Sequence, residues 1–287
     1  MRFEFIESNS GRFALSRMCR LLDVSRSGFY VWRSRPDSER SKEDLRLLSL
    51  IREIHQESRC SYGSRRVWWE LQFRGEPCGR SRVERLMQQN SLQAFHKRSW
   101  RPKAQKGKAE VVAENVLDQD FTTTAPNKVW TADITFIRTG EGWLYLAVVM
   151  DLFSRRIVGW AMNKRATRHL VVAALKMAIK TRRPEGEVIH HSDRGSQYSS
   201  FDFQKELEAA SATCSMSAKG NCYDNAAMES FFSRLKHECM QGRPYNTREE
   251  ARSDLFQWIE GWYNLKRRHS YLGYLSPDEF EKNATTT

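Results

Sequence analysis

Three strand-like segments in immediate succession, residues 128–138, 143–151 and 155–162, constrain the fold of this chain more than any other feature. Each is dense in β-branched and aromatic residues, and turn residues separate them. An antiparallel meander is therefore the simplest arrangement. The pattern then alternates. Thr167 stands where it can cap a helix that puts Val171, Ala174, Leu175, Ala178 and Ile179 on one face. Residues 188–192 read as a short buried strand, residues 201–210 as a helix and 213–216 as another strand. A further helix opens at Asp224, and Thr247-Arg248-Glu249-Glu250 forms a capping box for a last one, with Ala251, Leu255, Trp258, Ile259 and Trp262 inward. The expected class is α/β, with a mixed five-stranded sheet.

Three acids occupy telling places in this order. Asp133 is mid-strand in Thr131-Ala132-Asp133-Ile134-Thr135. Asp193 closes the strand 188–192 just before the turn Arg194-Gly195-Ser196, and Glu229 lies in the first turns of the Asp224 helix. If the first and fourth strands pair, the carboxylates of Asp133 and Asp193 become neighbours. Hard oxygen ligands from three elements, with positions open for water and substrate phosphate, are what a pair of Mg²⁺ ions needs. On the Glu229 helix, Asn225, Phe232, Ser233 and Lys236 share the side of the acid, while Phe231 and Leu235 point closer to the core. Lys236 is thereby placed to touch a phosphate. Other polar residues nearby have plainer readings. Asp151 is expected to hold a hairpin turn rather than a metal, and His190 and His191 to pack or hydrogen-bond. Gln197 and Tyr198 either order the turn or contact DNA, and Arg267 and Arg268 either grip DNA or stay solvated. Three strands, a helix, an acid-bearing strand and an acid-bearing helix fit an RNase-H-like core.

The formal net charge is +12, and residues 1–108 hold all of it, with 24 Lys+Arg against 12 Asp+Glu. The N-terminal third is thus expected to hold a polyanion. Residues 13–35 read as a helix-turn-helix, with Ser25 capping the second helix and Asp23 tolerating the left-handed turn position. Arg26, Ser27 and Tyr30 would face DNA from that helix. A long helix opening at Ser41-Lys42-Glu43-Asp44 follows. A second helical pair comes next, with a capping box at Ser81-Arg82-Val83-Glu84 and Arg65, Arg66 and Arg82 on or near its exposed faces. Residues 96–124 form a basic linker. The expected divisions are 1–37, 38–95, 96–124 and a core at 125–287. The six cysteines show no C-x-x-C or zinc spacing, the N-terminus carries acids where a signal peptide is apolar, and the longest apolar run is too short to cross a bilayer. A reduced, soluble, cytosolic protein without a membrane partner is expected.

Thr131-Ala132-Asp133-Ile134-Thr135, His191-Ser192-Asp193-Arg194-Gly195-Ser196-Gln197-Tyr198, and Lys219-Gly220-Asn221-Cys222-Tyr223-Asp224-Asn225 running on to Glu229-Ser230-Phe231-Phe232 resemble the DDE motifs of bacterial insertion-sequence transposases of the IS-three family. Tyr263-Asn264, Arg267-Arg268-His269 and Leu275-Ser276-Pro277 are similar to the tail of the same group. The resemblance covers essentially the whole chain. It implies an integrase-like catalytic domain that cleaves the element's ends with Mg²⁺ and then joins the freed 3′-OH to another phosphodiester. Two ions per site are expected, with Mn²⁺ able to substitute, and Asp133, Asp193 and Glu229 as the ligands. Lys236 matches the basic residue the family places seven after its Glu, as a DNA contact. The expected partners are element ends and target DNA, a second copy of the chain on that DNA, and an upstream-frame protein fused or bound to it. The alternatives are a DNA-binding remnant that no longer cuts, against which the presence of all three acids speaks, and a nuclease that cuts without joining.

Overall fold

A computed structural model describes residues 2–36, 38–95, 123–193, 195–216 and 226–285. The chain divides into two compact units, Met1–Leu50 and Ile51–Thr287. The first holds helices α1 (Arg2–Ser8), α2 (Leu15–Leu21) and α3 (Arg26–Ser34), and most of its residues after 38 enter α4 (Glu39–Glu57), which runs on into the second unit. Its core is Ile6, Met18, Cys19 and Phe29. The turn between α2 and α3 forms as its residues dictate. Asp23 takes a left-handed φ of 51°, and the Ser25 hydroxyl accepts a hydrogen bond from the Gly28 amide at 2.9 Å. Two details differ from expectation. Helix α1 carries no sequence signal strong enough to announce it. The start of α4 is held by Ser38, whose hydroxyl accepts from the Ser41 amide at 3.1 Å, so the helix begins ahead of Ser41.

The second unit opens with α5 (Ser64–Phe73) and α6 (Arg80–Gln89). Gly79 is the N-cap of α6 and no side chain caps it, so the capping box at Ser81–Glu84 is not formed. The helix starts early enough to put Ser81 inside its first turn. The sheet comprises β1 (Val129–Thr139), β2 (Gly142–Asp151), β3 (Ile157–Asn163), β4 (Val188–Ser192) and β5 (Ala212–Met216), in the order β3-β2-β1-β4-β5. The first three strands form the antiparallel meander, and β4 and β5 add in parallel on the other side of β1. This is the mixed five-stranded sheet expected from the sequence.

Helices cover both faces. Trp130, Ala132, Val149 and Val158 pack against Leu170, Ala174 and Leu175 of α7 (Arg168–Arg182) and Phe203 of α8 (Phe201–Ala209). Gly159 lets α7 approach: a Cβ there would fall onto the Ala174 carbonyl oxygen. No side chain caps α7, so Thr167 does not play the part expected of it. On the opposite face Ile137, Leu144, Leu146 and Val148 meet Met228 and Phe231 of α9 (Ala226–Arg234) and Leu255 of α10 (Arg248–Phe256). Helix α9 runs on through a π-type turn, Leu235–Cys239, and α10 through another, Gln257–Tyr263. Thr247 does cap α10, accepting from the Glu250 amide at 3.1 Å. The last helix is α11 (Pro277–Thr285).

Helix α5 is fastened to the C-terminal segment. The Trp69 ring stacks on Tyr274 at 5.1 Å, and Tyr62 meets Trp262 at 5.6 Å. Arg268 pairs with Glu70 and with Glu279, each at 2.6 Å, and its amide donates to the Tyr62 hydroxyl at 2.7 Å.

Candidate active site

The parallel pairing of β1 with β4 positions the first two acids. Its last paired residues are Ala132 and Ser192, so Asp133 and Asp193 are the next residues in line on adjacent strands. Parallel neighbours in register project to the same side of a sheet, with strands about 4.8 Å apart. Asp133 lies on the β1 face that α9 covers, and α9 carries Glu229 in its first turn. Asp133 is half-buried, while Asp193 and Glu229 are exposed.

The electrostatics join the three. The Asp133 carboxyl is pushed up to about 7. Burial is the main cause; a hydrogen bond from the Ile134 amide and the Lys236 ammonium pull it down, and the carboxylates of Asp193 and Glu229 push it further up. The buried Tyr198 phenol is raised for related reasons: burial first, then Asp133 and Asp193. Lys236 is exposed; burial of its stem lowers its pKa and Asp133 raises it, and its Nζ sits 5.3 Å from the centre of the Phe136 ring.

The acids share a field without forming a closed cage. Among the described residues, no group of three His, Cys, Asp or Glu is drawn tightly enough to hold a metal ion. Each aspartate instead accepts a backbone hydrogen bond close by: Asp133 Oδ1 from Ile134 at 2.7 Å, and Asp193 Oδ1 from Gly195 at 3.0 Å. Mutual repulsion of carboxylates favours such separate partners. The donor set still suits a hard divalent cation. It is all carboxylate oxygen, and burial first, then the charges of Asp193 and Glu229, raise the Asp133 carboxyl above its ordinary range.

The plainer readings are settled by contacts. Asp151 is fully buried and accepts from the Asn127 and Phe153 amides at 2.7 and 3.0 Å, with Arg182 at 3.3 Å; it holds the turn. His190 is packed edge-on against Phe203 at 5.3 Å, and burial lowers it to about 4. His191 bonds the Ser215 hydroxyl at 3.0 Å. Gln197 donates to the Ala166 carbonyl at 3.1 Å and Tyr198 is buried, so both order the turn after Asp193. Phe232 is buried in the core, not displayed beside Glu229. Arg267 and Arg268 are neither solvated nor free: Arg267 meets Glu238 through two bonds of 2.7 and 2.6 Å, and Arg268 lies 4.1 Å over the Phe73 ring between its two carboxylates.

Among the DNA-facing candidates, Arg26, Ser27 and Tyr30 are all exposed on α3. On α5, Arg65 is exposed, whereas Arg66 is half-buried over the Tyr62 ring at 5.6 Å; Arg82 on α6 is half-buried. Asn225, Asp224, Arg194 and residues 96–122 of the basic segment lie outside the described residues. Arg155 and Arg234 carry no sequence signal that sets them apart in a chain with 47 Lys+Arg. Both line a cavity beside α9.

Comparison with known proteins defines the class. Residues 123–222 and 210–277 match models of an integrase core domain, and residues 42–100 match a model of an HTH-like domain. An integrase core preceded by an HTH-like region marks a DNA-binding polynucleotidyl transferase. Transposase InsF for insertion sequence IS3A of Escherichia coli is 42% identical over 98% of this chain and 98% of its own length. The 31 kDa protein of insertion element IS600 from Shigella sonnei is 44% identical, over 92% of this chain and 97% of its own. The chain belongs to the IS3 family of insertion-sequence transposases. A simian T-cell lymphotropic virus intasome is a more distant likeness, at 15% identity and a TM-score of 0.46 over 80% of this chain and 74% of that one. Among the described residues, no helix is long and apolar enough to cross a membrane.

Proposed function

We propose that Asp133, Asp193 and Glu229 are the catalytic carboxylates of this transposase, and that they hold divalent cations against the phosphodiester at an element end. The observation that carries the reading is the β1–β4 register, which makes Asp133 and Asp193 next in line on adjacent strands beneath the helix bearing Glu229. Asp133 and Asp193 would flank both of two Mg²⁺ ions and Glu229 would hold one, with Mn²⁺ able to replace Mg²⁺. Bound there, such ions acidify the attacking water or 3′-OH and stabilise the leaving oxygen of an in-line displacement.

The chain's own residues do the rest. Ionised Asp133 supplies ligand charge from a half-buried position where water competes weakly. Lys236, over Phe136 and within the field of Asp133, offers a cation to a neighbouring phosphate. Arg26, Ser27 and Tyr30 on α3 and Arg65, Arg66 and Arg82 farther on are assigned to holding DNA, as is Asn225. In this reading, residues 1–37 and 38–95 are the DNA-reading regions, 96–124 a basic connection and 125–287 the catalytic part. The protein works in the bacterial cytosol as a homo-oligomer on DNA, fused to or aided by an upstream-frame product.

The test uses labelled element ends with Mg²⁺, scoring nicked and joined products. Asp133→Asn, Asp193→Asn and Glu229→Gln should each cut both products by roughly 10²–10³-fold or more, the scale of several kcal/mol of lost transition-state stabilisation, with DNA binding retained. Near-normal joining by any one of them would remove that residue from the site.

A further inference from the structure

We infer that a cavity beside α9 seats one backbone phosphate of the DNA strand whose scissile bond lies at the acids. The cavity has a volume of about 250 Å³, and Arg66, Arg155, Arg234, Arg267, Ser230 and His269 line it. Four guanidinium groups thus line one small space, and among the described residues the one carboxylate in their field, Glu238, bonds Arg267 alone and is a single charge against four. Among the described residues, no carboxylate forms an ion pair with Arg66, Arg155 or Arg234. Arg155 is steadied by the Tyr271 ring at 4.6 Å, and Arg66 by Tyr62 at 5.6 Å. Such contacts orient a cation without cancelling its charge. The crowding is felt locally: burial and then the like charge of Arg267 lower Arg66.

A second observation points to a ligand independently. His269 is 9% exposed, and its Nε2 has no hydrogen-bond partner among the described residues. A buried polar atom left so has lost its water without gaining a partner in exchange. An anion whose oxygens accept from several guanidinium groups, Ser230 and His269 answers both the excess charge and the unpartnered nitrogen, and phosphate does so with the geometry arginine favours.

Position selects DNA as the source of that phosphate. Met150, on the cavity wall, pairs with Thr131. Thr131 is two residues from Asp133 on the same face, about 7 Å along the strand. That spacing is roughly two nucleotides of rise in one DNA strand. Ser230 and Arg234 belong to the helix that carries Glu229, so one element presents both a wall of the cavity and one of the three acids. The location depends on the acid-site reading; the phosphate binding itself does not.

Equilibrium binding of the full chain to an arbitrary-sequence DNA duplex, in chelator and across a salt series, tests this without catalysis. Arg155→Gln and Arg234→Gln should each flatten the plot of log affinity against log salt by up to about 0.9, and the double variant by about 0.9 in all, the share of one phosphate. Arg234→Lys should restore most of the slope. Arg234 is exposed and makes no ion pair, so its variant reports on binding even if another fails to fold. A parallel melt with inorganic phosphate separates the sources. Stabilisation by phosphate with an unchanged DNA slope in Arg234→Gln would mean that the cavity takes a free anion, overturning the proposal. An unchanged slope with no phosphate effect would overturn it too. Because no divalent cation is present, a failure of the acid site leaves this result untouched.

Discussion

Asp133 is a carboxyl whose folded surroundings disfavour its charge, and this has a consequence that can be measured without any reaction. Its folded value of about 7 lies above its ordinary 3.8. The folded state therefore binds more protons than the unfolded one between those values, and stability contributed by this group falls as pH rises through that window. In chelator, Asp133→Asn should be more stable than the wild type at and above neutral pH, by roughly 2–4 kcal/mol in urea unfolding, and no more stable near pH 4. A pH-independent difference would contradict the assignment. Glu238 has the opposite sign. Burial would raise it, but Arg267, then Arg66 and Arg234, outweigh that and hold it below its ordinary 4.5. Its stabilising contribution is present above pH 4.5 and lost as the pH falls through its depressed folded value. Arg267→Ala leaves that carboxylate buried without its partner, so it should cost about 3–5 kcal/mol at neutral pH and less in acid; equal losses at both would refute the account. Arg267 and Arg268 also mark a limit of reading residues from sequence. Their partners, Glu238, Glu70 and Glu279, become visible only once the chain is folded, so two adjacent arginines near a DNA-processing motif read as easily as DNA contacts.

At the scale of elements, the strands were legible because period and composition agree, and the meander needed only turn residues between them. The cap signals were uneven. Ser25 and Thr247 cap as their spacing implies, whereas the helix containing Ser81 begins at Arg80 and Thr167 makes no cap bond. A capping motif specifies a bond only if the helix starts at that residue, and the N-cap of α6 is Gly79, two residues ahead of Ser81. The seat of α7 on β3 is another matter that local sequence hides, since nothing in Ile157–Asn163 announces that Gly159 must stay bare. Gly159→Ala should destabilise by about 1–3 kcal/mol or more, because the added methyl meets backbone and not a yielding side chain. A melting temperature matching the wild type would show that α7 does not lie so close.

At the scale of the whole molecule, the charge division of the sequence and the order of acids along the chain both point to a DNA-processing enzyme, and membership of the IS3 family agrees with them. The attachment of α5 to the C-terminal segment was not legible, since Tyr62, Trp69 and Glu70 meet residues some two hundred positions away. The sequence made Asp133 and Asp193 neighbours only on condition that the first and fourth strands pair, which β1 and β4 do; the side of Lys236 needed the helix phase as well. The central claim is that three carboxylates, separate in the chain, hold divalent cation together. Anomalous diffraction from crystals of the full chain with Mn²⁺ and DNA tests it most directly. The account predicts Mn²⁺ peaks within about 2.0–2.6 Å of oxygens from Asp133, Asp193 and Glu229. Mn²⁺ bound elsewhere, or a site that leaves any one of the three acids without a cation, would contradict it.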